Sequence, residues 1–317
     1  MKTIGVLTSG GDAPGMNACI VTIAEFAEKR GAQVRGLFRG FKGLIEANSI
    51  PISSEISGLA RRGGSFLGTS RNGDLINALK DQSVEKALEA CHLDGLIVLG
   101  GGGSLEAAAL IASKCAPVVG IPCSIDNDIY GTDYSLGFDS AVNKALQAAD
   151  EIADTAESLS ERVFVIETLG GRTGHIALAA AYCAGADAVF IHEIAPDIDG
   201  VIRRIKAKMD GGGTHGLIII TENLGTAEII SKLESGIGRR VRLTVLGHIQ
   251  RGGNPTFFDR RIAREFGEKA VDLLFSGNTG TMVTYGCGEP GFILLSDVLG
   301  KVRSIDLGKY NTVNRIA

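Results

Sequence analysis

Short apolar segments alternate along the chain with segments of helical spacing, and this alternation limits the fold more than any other feature. The predicted strands are residues 4–8, 33–38, 95–99, 118–121, 163–168, 188–192, 217–221 and 243–246. The predicted helices include residues 16–30, 104–114, 136–157, 174–184 and 198–209. Strands that alternate with helices are typical of parallel sheets with right-handed crossovers. Their continuous apolar character indicates sheets that are covered on both faces.

The longest predicted helix, residues 136–157, separates a first α/β unit from a second. The 317 residues are enough for one large domain or two intimately joined domains. We therefore expect a molecule of two lobes with a cleft. In such folds the ligands bind beyond the carboxyl ends of the strands.

Charge and hydropathy exclude several classes of partner. The net charge of −4 gives no overall basic field, so we expect no nucleic-acid partner. No apolar run approaches the roughly 18 to 20 residues of a membrane span, so we expect no membrane partner and a cytoplasmic protein. The six cysteines lack the spacing of a zinc site, and we expect buried thiols rather than a disulfide framework.

Many of the 44 glycines cluster where predicted strands end. The first strand runs into Gly10, Gly11 and Gly15 before a helix, and the strand at 95–99 runs into glycines 100–103 before another. Glycine lets the backbone approach a phosphate, and the first N–H groups of a helix carry positive partial charge. The segments match neither a Walker loop nor a dinucleotide fingerprint. Two such turns predict a polyphosphate or two phosphates, and a tight structural turn is the alternative for the first.

Carboxylates follow the next predicted strand. Asp126 and Asp128 lie just beyond residues 118–121, at the end where the glycines also cluster. Carboxylates beside a phosphate cradle act as general bases or as magnesium ligands. The alternative is that they only form a turn.

Five motifs extend in order over nearly the whole chain: TSGGDAPGMN from residue 8, PCSIDND from 122, GTD from 131, ITE from 220 and GHIQRGGNP from 247. In order and spacing they resemble those of the 6-phosphofructokinases of the bacterial type. The resemblance implies an α/β fold of two similar three-layer lobes with mostly parallel sheets and a cleft between them. It implies a phosphoryl-donor (nucleotide) lobe at residues 1–136 and 251–303, and a sugar-phosphate lobe at 137–250 and 304–317.

The resemblance also implies a reaction, in which the γ-phosphoryl group of ATP passes to the 1-hydroxyl of fructose 6-phosphate with Mg²⁺ present. The implied catalytic residues are Asp126 as general base, Ser124 and Asp128 beside it, and Arg172. The implied sugar-phosphate ligands are Arg162, Leu169, Gly170, Glu222, Arg242, His248 and Arg251. The implied nucleotide-binding residues are Gly11, Phe41, Arg71, Gly102, Gly103 and Ser104. In the family, Arg162 and Arg242 would reach a neighbouring subunit, which implies a homo-oligomer, usually a tetramer.

The chain departs from the family pattern at two positions. Gly102 stands where the family has an aspartate that helps to hold magnesium, which leaves Asp126 or Asp128 as candidate ligands. Gly171 stands where the family has an arginine, with Arg172 one residue late. Gly103 matches the ATP-dependent members of the family, so ATP is favoured over pyrophosphate as the donor.

These departures leave two other hypotheses open. The chain could be a catalytically weakened paralogue that binds a sugar phosphate and regulates an active subunit in a mixed oligomer. Gly102 and Gly171 favour that hypothesis, whereas Asp126 and the arginines of the sugar site favour the enzyme. A pyrophosphate-dependent enzyme is the third hypothesis, and its marker residues are missing.

Overall fold

The chain divides into two units that are each described separately below. The computed structural model describes residues 1–70, 75–80, 82–158 and 161–316. The first unit comprises Met1–Asp139 and Arg251–Arg303, and the second comprises Ser140–Gln250 and Ser304–Ala317. Within the described ranges, no helix has the length and apolar character needed to cross a membrane.

Strands and helices alternate over most of the described chain. The strands are β1 (Thr3–Ser9), β2 (Gln33–Leu37), β3 (Ser49–Ile52), β4 (Gly95–Gly100), β5 (Val118–Pro122), β6 (Arg162–Thr168), β7 (Ala188–Phe190), β8 (His215–Thr221), β9 (Val241–Val245), β10 (Thr281–Gly286) and β11 (Glu289–Leu294). The helices are α1 (Met16–Lys29), α2 (Phe41–Ile45), α3 (Leu75–Lys80), α4 (Ser83–Ala90), α5 (Gly102–Lys114), α6 (Phe138–Ser158), α7 (His175–Ala184), α8 (Ile198–Asp210), α9 (Thr226–Ile237), α10 (Phe257–Phe275), α11 (Leu295–Val298) and α12 (Leu307–Asn314). Short 3₁₀ segments lie at Ser54–Arg61 and Gly247–Arg251.

The first unit contains a seven-stranded sheet in the order β11-β10-β5-β4-β1-β2-β3. Its five inner strands are parallel, and β3 and β11 pair antiparallel at the two edges. In the sheet, β2 lies on one side of β1 and β4 lies on the other side. Ser9 at the end of β1 pairs with Gly100 at the end of β4. Such a reversal opens a crevice at the carboxyl ends of the two strands.

Helices cover both faces of this sheet. Leu96 and Val98 of β4 belong to a core cluster that includes Leu105 and Ile111 of α5. Ile97, which alternates with them, is fully buried outside that cluster. Because successive side chains of a strand point to opposite faces, β4 is covered on both sides. Helix α10 packs against β5, and α1 packs against α10.

The second unit contains a four-stranded sheet, all parallel, in the order β7-β8-β6-β9. Phe164 and Ile166 of β6 pack in one core cluster with residues of α7, and Val163 and Val165 pack in another with residues of α8 and α9. Two helical layers therefore enclose the sheet. The predicted class, α/β with mostly parallel sheets, is confirmed.

Both edge strands of the first sheet were not predicted, and the helices α5 and α6 each begin two residues from their predicted starts. β3 contains Pro51, which donates no hydrogen bond, and β11 is largely exposed, so neither has the apolar pattern of an inner strand. The strand β10, between β5 and β11, was also not predicted. The helix α5 begins at Gly102 rather than at the predicted residue 104, because the low helix propensity of glycine hides its first turn.

Candidate active site

The carboxyl ends of three neighbouring strands of the first unit enclose a cavity of about 350 Å³. The strands are β1, β4 and β5, whose last residues pair in register. The lining residues are Ser9, Gly10, Gly11, Gly101, Gly102, Gly103, Ser104, Cys123, Ser124, Asp126, Asp128 and Arg251. Most of the predicted catalytic and nucleotide-binding residues therefore lie together in one cavity.

The loop after β1 follows the wall of this cavity with two glycines. Gly10 has a φ of +85°, in the left-handed region that favours glycine. A Cβ atom on Gly11 would collide with the guanidinium group of Arg251. The Nη1 atom of Arg251 donates a hydrogen bond to the carbonyl of Asp12 at 3.2 Å. Gly11 thus makes room for an arginine side chain against the backbone of this loop.

The amino end of α5 forms a second wall. This helix of 13 residues begins at Gly102, so its positive end lies at the cavity, where it favours an anion. A Cβ on Gly100 would lie 2.5 Å from that of Ser104, so this glycine is needed for packing. A Cβ on Gly102 or Gly103 would meet no atom within 4 Å. The packing of the described residues therefore does not require glycine at position 102 or 103.

The loop after β5 contributes the carboxylates. Ser124, Asp126 and Asp128 are half-buried, and the residues between them are buried. The hydroxyl of Ser124 donates to Oδ1 of Asp128 at 3.2 Å. The loop therefore presents a hydroxyl and two carboxylates to the cavity.

A buried polar cluster behind the carboxylates holds this loop, and the sequence analysis missed its role. Asn127 has a φ of +52° and is almost fully buried. Its Nδ2 donates to the carbonyl of Asp133 at 3.0 Å, and its Oδ1 accepts from the backbone N–H of Ser135 at 2.8 Å. The only signal in the sequence is that asparagine tolerates the left-handed region, which does not reveal that the side chain is buried.

Cys123 lines the cavity, and its buried thiol adds no charge. Burial raises the pKa of this thiol well above its usual value. The group therefore stays protonated and neutral near pH 7. A neutral side chain here leaves the attraction for an anion to α5 and to Arg251.

Asp126 and Asp128 are the carboxylates of this cavity that could bind a metal ion. No group of three or more His, Cys, Asp or Glu side chains in the described ranges has the arrangement of a metal site. Mg²⁺ is commonly held by one or two carboxylates together with substrate phosphates and waters. Asp126 and Asp128 supply two carboxylates beside the anion-attracting end of α5, so the donor set fits Mg²⁺ that arrives with a phosphate ligand.

In the second unit, a carboxylate and a glycine turn meet at the ends of the two central strands. Thr168 of β6 pairs with Thr221 of β8. Glu222 follows β8, and its Oε1 accepts hydrogen bonds from the N–H groups of Gly170 at 3.3 Å and Gly171 at 3.0 Å. The Glu222 side chain is thereby fixed at the carboxyl end of the sheet.

This turn needs its glycines. A Cβ on Gly170 would lie 2.5 Å from the carbonyl oxygen of Thr173, and Gly171 has a φ of +62°. Arg172 follows with an exposed side chain. Arginine at position 171 would have to adopt the left-handed backbone, which costs an L-residue about 1 kcal/mol or more.

Gln250 was also missed as a positioning residue. It is fully buried, and its Oε1 accepts from the N–H of Leu169 at 2.7 Å while its Nε2 donates to the carbonyl of Ala141 at 3.2 Å. It holds the start of the glycine turn. A glutamine within a motif gives no indication of burial, so the sequence could not predict this contact.

The predicted phosphate-binding arginines of the second unit lie away from Glu222. Arg162 is the first residue of β6, six residues before Thr168, which is about 20 Å along the strand. Arg242 pairs with Phe164, about 13 Å before the carboxyl end. Within one chain, the backbone of both arginines therefore lies near the amino end of the sheet, whereas Glu222 lies just beyond its carboxyl end.

Three other predicted residues have different surroundings. His248 is exposed in the 3₁₀ segment Gly247–Arg251. Phe41 is 1% exposed and packs in the core cluster of the first unit instead of lining the cavity. Arg71 lies outside the described residues.

Parallel α/β units, a helix amino end at a cavity and two carboxylates beside it are features of phosphate-binding α/β proteins. The chain belongs to the phosphofructokinase family, because the family model described as Phosphofructokinase matches residues 3–274. The resemblance inferred from the five motifs is therefore confirmed.

Relatives of similar length share more than a third of their residues with this chain. The ATP-dependent 6-phosphofructokinase of Natranaerobius thermophilus is 40% identical over 313 residues, with 98% of each chain covered. The ATP-dependent 6-phosphofructokinase 1 of Thermus thermophilus is 38% identical over 311 residues, with 96% of each covered. Among solved structures, Pichia pastoris phosphofructokinase in the T-state has a TM-score of 0.88 at 28% identity. That match covers 94% of this chain and 35% of the Pichia chain, so this chain spans about a third of its length.

Replacement of Asn127 tests whether it holds the carboxylate loop. Asn127→Ala leaves the backbone N–H of Ser135 and the carbonyl of Asp133 without their partner, and we expect a loss of about 1–3 kcal/mol in unfolding free energy. The control is Asn77→Ala on the exposed side of α3, which should change stability by less than about 0.5 kcal/mol. Urea unfolding measures both, and equal stabilities of the two variants would contradict the assignment.

Proposed function

We propose that this protein transfers the γ-phosphoryl group of ATP to the 1-hydroxyl of fructose 6-phosphate, which yields fructose 1,6-bisphosphate and ADP. One observation carries the proposal: the amino end of α5, Asp126 and Asp128 line the same cavity. An anion cradle beside a candidate base is what phosphoryl transfer requires, since that reaction depends on positioning and charge stabilisation. The names of the bacterial relatives support the same activity.

The donor phosphates would bind at the amino end of α5 and the loop after β1. Gly11 and Gly102 to Ser104 let the backbone approach them, and the positive end of the helix attracts them. Gly103 adds no carboxylate that would repel an α-phosphate, and Cys123 is neutral. Gly103 favours ATP over pyrophosphate, whereas Cys123 matches neither class of the family. By the family resemblance we also assign a nucleotide contact to Arg71, but not to Phe41, which packs in the core.

Asp126 is the proposed general base. It takes the proton of the sugar 1-hydroxyl as that oxygen bonds to the γ-phosphorus, and the bond from the γ-phosphorus to the β-phosphate bridging oxygen breaks to release ADP. Asp128 is held by the Ser124 hydroxyl beside it. Mg²⁺, when bound, neutralises charge on the donor phosphates, and Asp128 or Asp126 would hold it.

We assign the contacts of the sugar phosphate by the family resemblance. Glu222 is fixed by the turn at Gly170 and can still accept from a sugar hydroxyl. Leu169 and His248 are the other proposed sugar-phosphate ligands near Glu222 in the family pattern. Arg172 is the nearest substitute for the arginine that the family has at position 171. Arg251 would form charge-assisted bonds to the sugar phosphate.

Arg162 and Arg242 would serve the active site of a neighbouring copy. Their strand positions near the amino end of the sheet separate them from Glu222 of their own chain. We therefore propose a homo-oligomer, with a tetramer as the expected form, that acts in the cytoplasm.

Replacement of the proposed base tests the reaction. Asp126→Asn keeps the size of the side chain and removes its basicity, so we expect kcat to fall by about 10²–10⁴ with little change in KM. The matched control is Asp210→Asn, at the exposed end of α8, which should keep wild-type kcat. A coupled assay of ADP release measures both, and an Asp126→Asn enzyme with wild-type kcat would contradict the role of Asp126.

Subunit mixing tests the proposed origin of Arg162. Asp126→Asn and Arg162→Ala chains, each with low activity alone, are unfolded together and refolded as hybrids. With equal amounts of the two chains, about half of the pairs are hybrids. In each hybrid, one of the two sites joins an intact Asp126 to a neighbour's intact Arg162, so about a quarter of wild-type activity should return. If both residues acted within one chain, the mixture would show only the average of its parents.

A further inference from the structure

The first turn of α5 has an open position where the family has a magnesium-binding carboxylate. A Cβ on Gly102 would meet no atom of the described residues within 4 Å, so the space beside it is open in the described part of the first unit. If Mg²⁺ accompanies the donor phosphates here, Asp128 and Asp126 are the carboxylates from the loop after β5. Among the described residues, Glu106 adds a further carboxylate close to Gly102.

A second cavity, of about 230 Å³, adjoins the first at the amino end of α5. Gly102, Gly103 and Asp128 line both cavities. Glu106 of α5 and Lys301 line only the second cavity. Glu106 and Asp128 therefore line a cavity that shares three residues with the proposed donor site.

Helix geometry brings Glu106 close to the open position. Glu106 comes four residues after Gly102 in α5, so the two positions lie on the same face of the helix. Their Cβ positions are about 5–6 Å apart. Side chains in a helix also lean toward its amino end, which directs the longer glutamate back over the first turn. A glutamate at 106 can thus place a carboxylate where an aspartate at 102 would have placed one.

No described cation is paired with the Glu106 carboxylate. Glu106 is exposed and forms no ion pair with any residue in the described part of the chain. Lys301 instead places its ammonium group over the ring of Tyr130, 5.0 Å from the centroid. The charge of Glu106 is therefore available to a cation that enters the cavity.

We propose that Glu106, together with Asp128, holds the divalent cation of the donor phosphates and replaces the carboxylate that is missing at Gly102. The proposal rests on the proposed function, because the cation arrives with the nucleotide. Two carboxylates are sufficient, since Mg²⁺ completes its shell with phosphate oxygens and waters.

The test measures metal binding without turnover. Mn²⁺ binding is followed by electron paramagnetic resonance in the presence of a non-hydrolysable ATP analogue. Glu106→Gln keeps the side-chain shape and should weaken Mn²⁺ binding by about tenfold or more. The control is Glu268→Gln, an exposed glutamate of α10 that lines neither cavity, and it should bind Mn²⁺ as the wild type does. Adding Gly102→Asp to Glu106→Gln should restore the affinity.

The outcomes separate this inference from the proposed function. If the wild type phosphorylates fructose 6-phosphate and Glu106→Gln binds Mn²⁺ as tightly as Glu268→Gln does, the role of Glu106 is overturned and the function stands. If the wild type binds no Mn²⁺ with the analogue and shows no phosphorylation, both are overturned. Weak binding by Glu106→Gln that Gly102→Asp restores would support the replacement.

Discussion

The pairing of β1, β4 and β5 is the constraint on which the candidate site depends. Their registers align Ser9 with Gly100 and Gly100 with Pro122, so the loops that follow all begin at one edge of the sheet. The sheet reverses its strand order at β1 and β4, which opens the crevice there. The anion-attracting end of α5 and the carboxylates after β5 are close only because of this alignment.

Steric room divides the glycines of the site into two groups. Gly100 and Gly170 lie where a Cβ would strike a backbone oxygen, so the fold requires them, whereas a Cβ on Gly11 would meet only the movable guanidinium group of Arg251. Gly102 and Gly103 have open space, so the fold does not explain them. At Gly103 the absence of a side chain suits an ATP phosphate. At Gly102 it removes a carboxylate, and Glu106 one turn later is the residue that can compensate.

The sequence could predict the parallel sheets and most of the candidate site, because both leave local signals. Continuous apolar runs indicate inner strands, and the motifs around Asp126 and Glu222 mark the loops. It could not predict that Asn127 and Gln250 are buried behind those loops, since a polar residue shows its burial only through tertiary contacts. The edge strands β3 and β11 were missed because they are too exposed to show an apolar pattern.

The central claim is that the cavity of the first unit supports phosphoryl transfer from ATP. Its most direct test follows the purified protein by ³¹P NMR with ATP, Mg²⁺ and fructose 6-phosphate. The account predicts ADP and a new phosphomonoester on carbon 1 of the sugar in equal amounts, and no such product when pyrophosphate replaces ATP. Calorimetric binding of fructose 6-phosphate without any transfer from ATP would contradict it.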